Sequence, residues 1–215
     1  MDEKNELEMR YYDGGFAAGD SAEEGVIEGT AIVYGSRANL GWFDEIIEPG
    51  ALVGADLSDV RLCLNHDTSF VYARSKNNRA NNTMQLFPDE ETGLKIRAAL
   101  AIKESTRAAD YYTMVKRGDI DRMSFMFSVP KGGDWWEDID SDHPTRHITQ
   151  IKSVVEVSGV TFPAYDATSI SISARSKEAL ENARLELENA RRSANDAEAL
   201  ELDLSKAKFD FANKF

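Results

Sequence analysis

One cysteine, five prolines and fourteen glycines in 215 residues exclude several classes of protein at once. Cys63 alone can close no internal disulfide and can supply no cysteine-rich zinc cluster, so neither staple is expected and a reducing compartment suits the chain. Proline and glycine are too sparse for a fibrous or low-complexity protein. No apolar run reaches the ~18–20 residues of a membrane span. The opening MDEKNELEMR lacks the apolar centre of a signal peptide, so a soluble, cytosolic protein with no membrane partner is expected. Basic residues are also short: 25 Lys and Arg face 38 Asp and Glu, for a formal net charge of −13. Neutralising phosphates needs clustered Lys and Arg, so no nucleic-acid partner is expected.

What is present is enough for a core, since 42% of the residues are hydrophobic. Short runs that alternate or are rich in β-branched residues recur between Asn, Asp, Gly and Pro: Glu6–Tyr12, Gly25–Tyr34, Asp44–Ala51, Val60–Asn65, Phe70–Ala73, Thr83–Phe87, Leu94–Leu100, Arg122–Val129, Arg146–Ile151 and Val154–Thr161. DGGFAAGDSAEEG reads as a loop, PDEETG as a hairpin connection, and PAYDATSISISA as a turn with one last strand. Glu104–Arg117 spaces Ala108, Tyr111, Tyr112 and Val115 at helical intervals, with Ser105 or Thr106 as cap and Gly118 as stop. Many short strands around few helices predict an α+β, mainly β fold: a closed or nearly closed β-barrel with surrounding helices. From Arg175 the chain turns to Glu, Ala, Arg, Leu and Asn, and Leu180, Ala183, Leu187, Ala190, Ala194 and Ala197 keep a 3-4 spacing. That predicts a helical tail that either packs on its own domain or docks a partner. The expected organisation is an acidic lead over 1–24 with one strand, a barrel over 25–174 and a charged helical tail over 175–215.

Three polar residues stand out. His66 closes the apolar strand VRLCLN, Ser124 lies in MSFMF, and Glu156 lies in VVEVS. A lone carboxylate in a dry core costs several kcal/mol, so Glu156 needs a hydrogen-bonding or charged partner. A serine hydroxyl becomes a useful nucleophile only when a base takes its proton, and the base gains from an anion that fixes its tautomer. Ser124, His66 and Glu156 supply that set.

The ordered motifs E-x-x-x-P-G-A at Glu45 to Ala51, N-H-D at Asn65 to Asp67, G-D-I-D-x-x-S at Gly118 to Ser124, and E-V-S-x-V-T-x-P-A-Y at Glu156 to Tyr165 resemble the prohead serine proteases of tailed bacteriophages. The resemblance runs from about Glu6 to Ile172, and that family resembles the herpesvirus assemblins in fold. It implies a procapsid maturation endopeptidase with Ser124 as nucleophile, His66 as general base and Glu156 as third member. The assemblins use a second histidine instead, which makes His147 the rival for that place. The resemblance implies no metal or organic cofactor. Its implied partners are the major capsid protein or its scaffolding segment and a scaffold protein; separately, the apolar seam of the C-terminal helix offers a surface for a homo-oligomer. The implied location is the bacterial host cytoplasm, inside the procapsid. The chain departs from the commonest family form in carrying Tyr72-Ala73-Arg74 where Gly-Arg follows the N-H-D strand. A long excursion, Lys131 to Thr145, holds Trp135 and Trp136, which either cover the substrate groove or pack on the fold.

Overall fold

A strand sends successive side chains to opposite faces, and that rule accounts for most of the local structure here. The computed structural model describes residues 7–12, 15–19, 24–77, 80–161, 184–185 and 187–193. In chain order the elements are β1 (Glu8–Tyr12), β2 (Phe16–Ala18), β3 (Val26–Val33), β4 (Arg37–Asn39), β5 (Asp44–Ile47), β6 (Asp59–Leu64), β7 (Ala73–Lys76), β8 (Met84–Asp89) and β9 (Gly93–Ala99). There follow α1 (Thr106–Arg117), β10 (Arg122–Ser128), β11 (Asp134–Glu137), β12 (Thr145–Ile148) and β13 (Ser153–Val160). The last strand expected in PAYDATSISISA lies outside the described residues.

These strands make three open sheets, and this corrects the expected closed or nearly closed barrel. One sheet has the order β1-β10-β13-β6-β7, the second β11-β12-β5-β4, and the third β2-β3-β9-β8. A barrel needs every strand bonded on both sides. Here β2 and β4 are three residues long, β7 and β11 only four, and β8 carries Pro88, which has no N–H to offer a further strand. Between β7 and the start of β8 one backbone bond forms, from Thr83 N–H to the Arg74 carbonyl at 3.2 Å, and it does not extend into a ladder. Two neighbouring pairs are parallel, β13 with β6 and β12 with β5. The stretch expected as a loop contributes β2, which pairs with β3, and the polar excursion contributes β11, which pairs with β12.

The inner faces of β3, β6, β9, β10 and β13 supply a single apolar core that includes Ile27, Ile32, Leu62, Ile96, Phe125, Phe127 and Val157. Helix α1 closes it. Ser105 caps the helix by accepting the Ala108 N–H, Gly118 ends it in the left-handed region at φ 77°, and Ala108, Tyr111, Tyr112 and Val115 form its buried stripe. Tyr111 then reaches across: its hydroxyl accepts the Gly159 N–H at 3.0 Å and donates to the Cys63 carbonyl at 3.3 Å. Burial pushes this phenol up, so it stays protonated and able to donate. The helix thus pins β13 to β6 at the end where both strands finish.

The described part of the tail, 184–185 and 187–193, is helical. Leu187 is buried, and Arg191 donates to the carbonyls of Ile139 at 2.6 Å and Ser141 at 2.9 Å. That stretch therefore packs on the domain's own loop. Among the described residues no helix is long and apolar enough to cross a membrane.

The pin at Gly159 can be tested. A Cβ there would collide with the Tyr111 hydroxyl and stand 2.7 Å from Phe16, so Gly159→Ala should cost about 1–3 kcal/mol in urea denaturation. Tyr111→Phe, which leaves a buried N–H without its partner, should cost a similar ~1–3 kcal/mol. An unchanged midpoint in both variants would show that α1 does not hold these strands.

Candidate active site

Three strands of the five-stranded sheet bring their polar residues to one face. In the antiparallel pair of β10 and β13, Ser124 stands opposite Ser158 and Met126 opposite Glu156; Glu156 and Ser158, two apart on β13, share a face. β6 runs parallel on the other side of β13, with Cys63 level with Ser158. Beyond Leu64 the chain turns sharply. Asn65 and His66 both take left-handed backbone angles, φ 51° and 59°, which cost non-glycine residues about 1–3 kcal/mol each. Hydrogen bonds hold the turn: Asn65 N–H to the Gly159 carbonyl at 3.0 Å, Thr161 N–H to Asn65 Oδ1 at 2.9 Å, and His66 N–H to Ser158 Oγ at 3.0 Å.

The turn lays the His66 ring between the other two residues. Nδ1 is 2.6 Å from Glu156 Oε2, and Nε2 is 2.5 Å from Ser124 Oγ. The Ser158 hydroxyl donates to the second Glu156 oxygen, Oε1. Glu156 is 2% exposed, so both of its oxygens meet donors in a place that water does not supply. A carboxylate on Nδ1 favours the tautomer with the proton there, which leaves Nε2 free to accept from Ser124. Cys63, the nearby thiol, is pushed up to about 12 by burial and then by the Glu156 charge, so it stays a neutral thiol beside the site.

Ser124 is fully enclosed, at 0% exposure. Its hydroxyl has a second acceptor, the carbonyl oxygen of Arg10 on β1, at 2.8 Å. One proton cannot serve both His66 and Arg10.

Beside this group lies a buried ionic cluster. Arg10 is bidentate on Glu45, through Nε to Oε1 and through Nη2 to Oε2 at 2.8 Å, and Nη2 also meets Glu8 at 2.5 Å. Arg146 bonds Glu8 at 2.6 Å, Glu45 at 3.2 Å and Asp134 at 2.6 Å. Burial alone would raise the Glu8 carboxyl, but the charges of Arg146 and Arg10 outweigh it and hold the group below its ordinary value. Burial alone would lower both guanidinium groups, and the surrounding carboxylates instead hold them above theirs.

The rival His147, the two tryptophans and the third histidine, His143, lie elsewhere. His147 sits on β12 in the second sheet, where Nδ1 is 2.6 Å from Glu48, Nε2 is 3.3 Å from Glu137, and the ring stacks on Trp135 at 4.2 Å. Trp136 packs against Trp42 and Phe43. His143 bonds Asp44 at 2.9 Å. The sequence reading missed Ser158, Arg10, Glu45 and Arg146 as partners in one neighbourhood. The burial penalty that singles out Glu156 among apolar residues would have singled out Glu45 in DEII by the same reasoning.

The protein family described as Caudovirus prohead serine protease matches residues 14–183 of the chain. No curated protein and no solved structure matches it.

The ionic cluster generates a pH prediction. A carboxyl held down in the folded state stabilises fully above its unfolded value, here 4.5, and that contribution is lost as pH falls through the folded value. Urea midpoints should therefore fall as pH drops from neutral to about 3.5. Glu8→Gln should fall less, because it removes one linked proton but leaves others, such as Asp59, which its hydrogen bonds to Arg74 hold at about 2. Identical pH slopes for the two chains would contradict the linkage.

Proposed function

The chain belongs to the caudovirus prohead serine protease family, and from that membership and the site geometry we propose that it is the endopeptidase that matures the procapsid with Ser124, His66 and Glu156. The observation that carries this reading is one imidazole touching two partners, Ser124 Oγ at 2.5 Å and Glu156 Oε2 at 2.6 Å. Ser124 Oγ attacks the scissile carbonyl carbon while His66 Nε2 takes its proton. Glu156 stabilises the resulting imidazolium and, with Ser158 bonded to its other oxygen, keeps the ring in place. His66 returns the proton to the leaving amine, and water then hydrolyses the acyl-enzyme by the same route. The substrates in this reading are a scaffold protein or the scaffolding segment of the capsid protein, and the protease itself, inside the procapsid.

A second reading has one observation in its favour. Ser124 is enclosed and donates to the Arg10 carbonyl, as a residue in a purely structural hydrogen-bond network would. In that case the chain is an assembly module without turnover.

Incubating the wild type and Ser124→Ala with the cognate scaffolding segment, and following both by intact mass, separates the two. Cleavage by the wild type alone is expected; intact substrate in both samples would sink the enzyme reading. Glu156→Gln should lower kcat/KM by about 10²–10⁴-fold, and His147→Ala by less than about 3-fold. The reverse order would move the third role to His147.

A further inference from the structure

The strand that carries Ser124 has a neighbour on its outer side, and that neighbour is the chain's own N-terminal segment. β1 runs antiparallel along β10 in unbroken register, from Glu8 opposite Phe127 to Tyr12 opposite Met123. Among the described residues it is the outermost strand of its sheet, and it precedes residue 14, where the family match begins. A peptide that adds to a sheet edge gains affinity from its main chain and selectivity from alternate side chains. β1 has both features. Its Arg10 carbonyl oxygen lies 2.8 Å from Ser124 Oγ, and its alternate side chains Glu8 and Arg10 enter one buried cluster.

The partners in that cluster are sorted by charge. Arg10 is held at both ends of its fork by Glu45, which is 0% exposed. Glu8 is held through both oxygens by Arg146, at 2.6 and 3.2 Å. Among the described residues, removing β1 leaves Glu45 and Asp134 each bonded to Arg146, two negative charges against one positive. An empty site of that composition calls for a cation where Arg10 lies and tolerates an anion only beside Arg146.

This extends the assignment of Ser124 as nucleophile and rests on it: we propose that β1 is a substrate-like strand which the chain holds in its own peptide-binding edge, and that the site takes extended peptides with an acidic residue two positions before a basic one, the basic residue's carbonyl being the one attacked. While the Ser124 proton goes to the Arg10 carbonyl oxygen it is withheld from His66, so β1 keeps the site closed. When a substrate replaces it, the bond from Ser124 Oγ to the basic residue's carbonyl carbon forms and the C–N bond to the next residue breaks. The proton moves through His66 to that leaving amine, and water releases the new carboxylate and restores Ser124.

Two measurements test this. A fluorophosphonate probe that modifies nucleophilic serines, followed by intact mass with Ser124→Ala as control, reads how open the site is. The double variant Glu8→Ala, Arg10→Ala in the full chain should be modified at least about ten-fold faster than the wild type; an equal or slower rate in a folded variant overturns the closing role. On the unaltered full chain, the fluorogenic peptide Glu-Met-Arg-aminocoumarin should be cut with a kcat/KM at least about ten-fold above that of Arg-Met-Glu-aminocoumarin. That comparison stands even where the double variant fails to fold: equal or reversed cleavage overturns the preference alone, and absent cleavage of both peptides with Ser124 still modified overturns the replacement of β1 by substrate. No modification of Ser124 in any chain overturns the nucleophile assignment and this proposal together.

Discussion

A carboxylate enclosed among apolar strands must be satisfied by its neighbours, because water is not there to do it, and Glu156 imposes that condition on everything around it. One oxygen takes the His66 ring and the other the Ser158 hydroxyl. For the ring to arrive, β6 must lie parallel to β13 and then reverse through two left-handed residues. The turn is in turn secured by Ser158, whose hydroxyl oxygen accepts the His66 N–H. For the two strands to meet at the right level, Tyr111 bridges the Cys63 carbonyl and the Gly159 N–H, and only glycine at 159 leaves space for it. The cost of one buried charge thus propagates through a turn, a strand pairing and a helix.

The same condition operates a second time, next door, with a different outcome. Glu8, Arg10, Glu45, Arg146 and Asp134 satisfy one another by mutual charge rather than through a neutral ring. β1 is the link between the two groups: its side chains belong to the ionic cluster and its main chain touches Ser124. Buried ion pairs of this kind add little net stability over an apolar core but make loss of one partner expensive. They therefore specify which strand lies beside β10 more than they strengthen the fold.

The local elements were readable because their signals are local. β3, β10, β13 and α1 fall where alternation, β-branched runs and the Ser105 and Gly118 signals put them. Ser124 and Glu156 could be singled out because each interrupts an apolar strand, and His66 because it stands just past the end of one. Strand pairing was not readable, since β12 finds β5 and β13 finds β6 across about a hundred residues and nothing in a short window records the partner. That is why a run of short strands suggested one closed barrel where three open sheets form. β1 misled in a specific way. Its alternation of Met9 with Glu8 and Arg10 reads as one face in and one face out, yet Glu8, Met9 and Arg10 are all buried, because Glu45 on β5 and Arg146 on β12 meet the charged face.

The reversed turn after β6 also sets a timetable. His66 meets Ser124 from 58 residues away and Glu156 from 90, so the three residues are joined only after β13 has been made and has paired with β6. Contacts across such separations form only after the intervening chain has closed into a loop, late in folding. A chain still emerging from the ribosome carries the serine and the histidine without the carboxylate that joins them. Any chemistry that requires all three begins only once β13 has paired with β6.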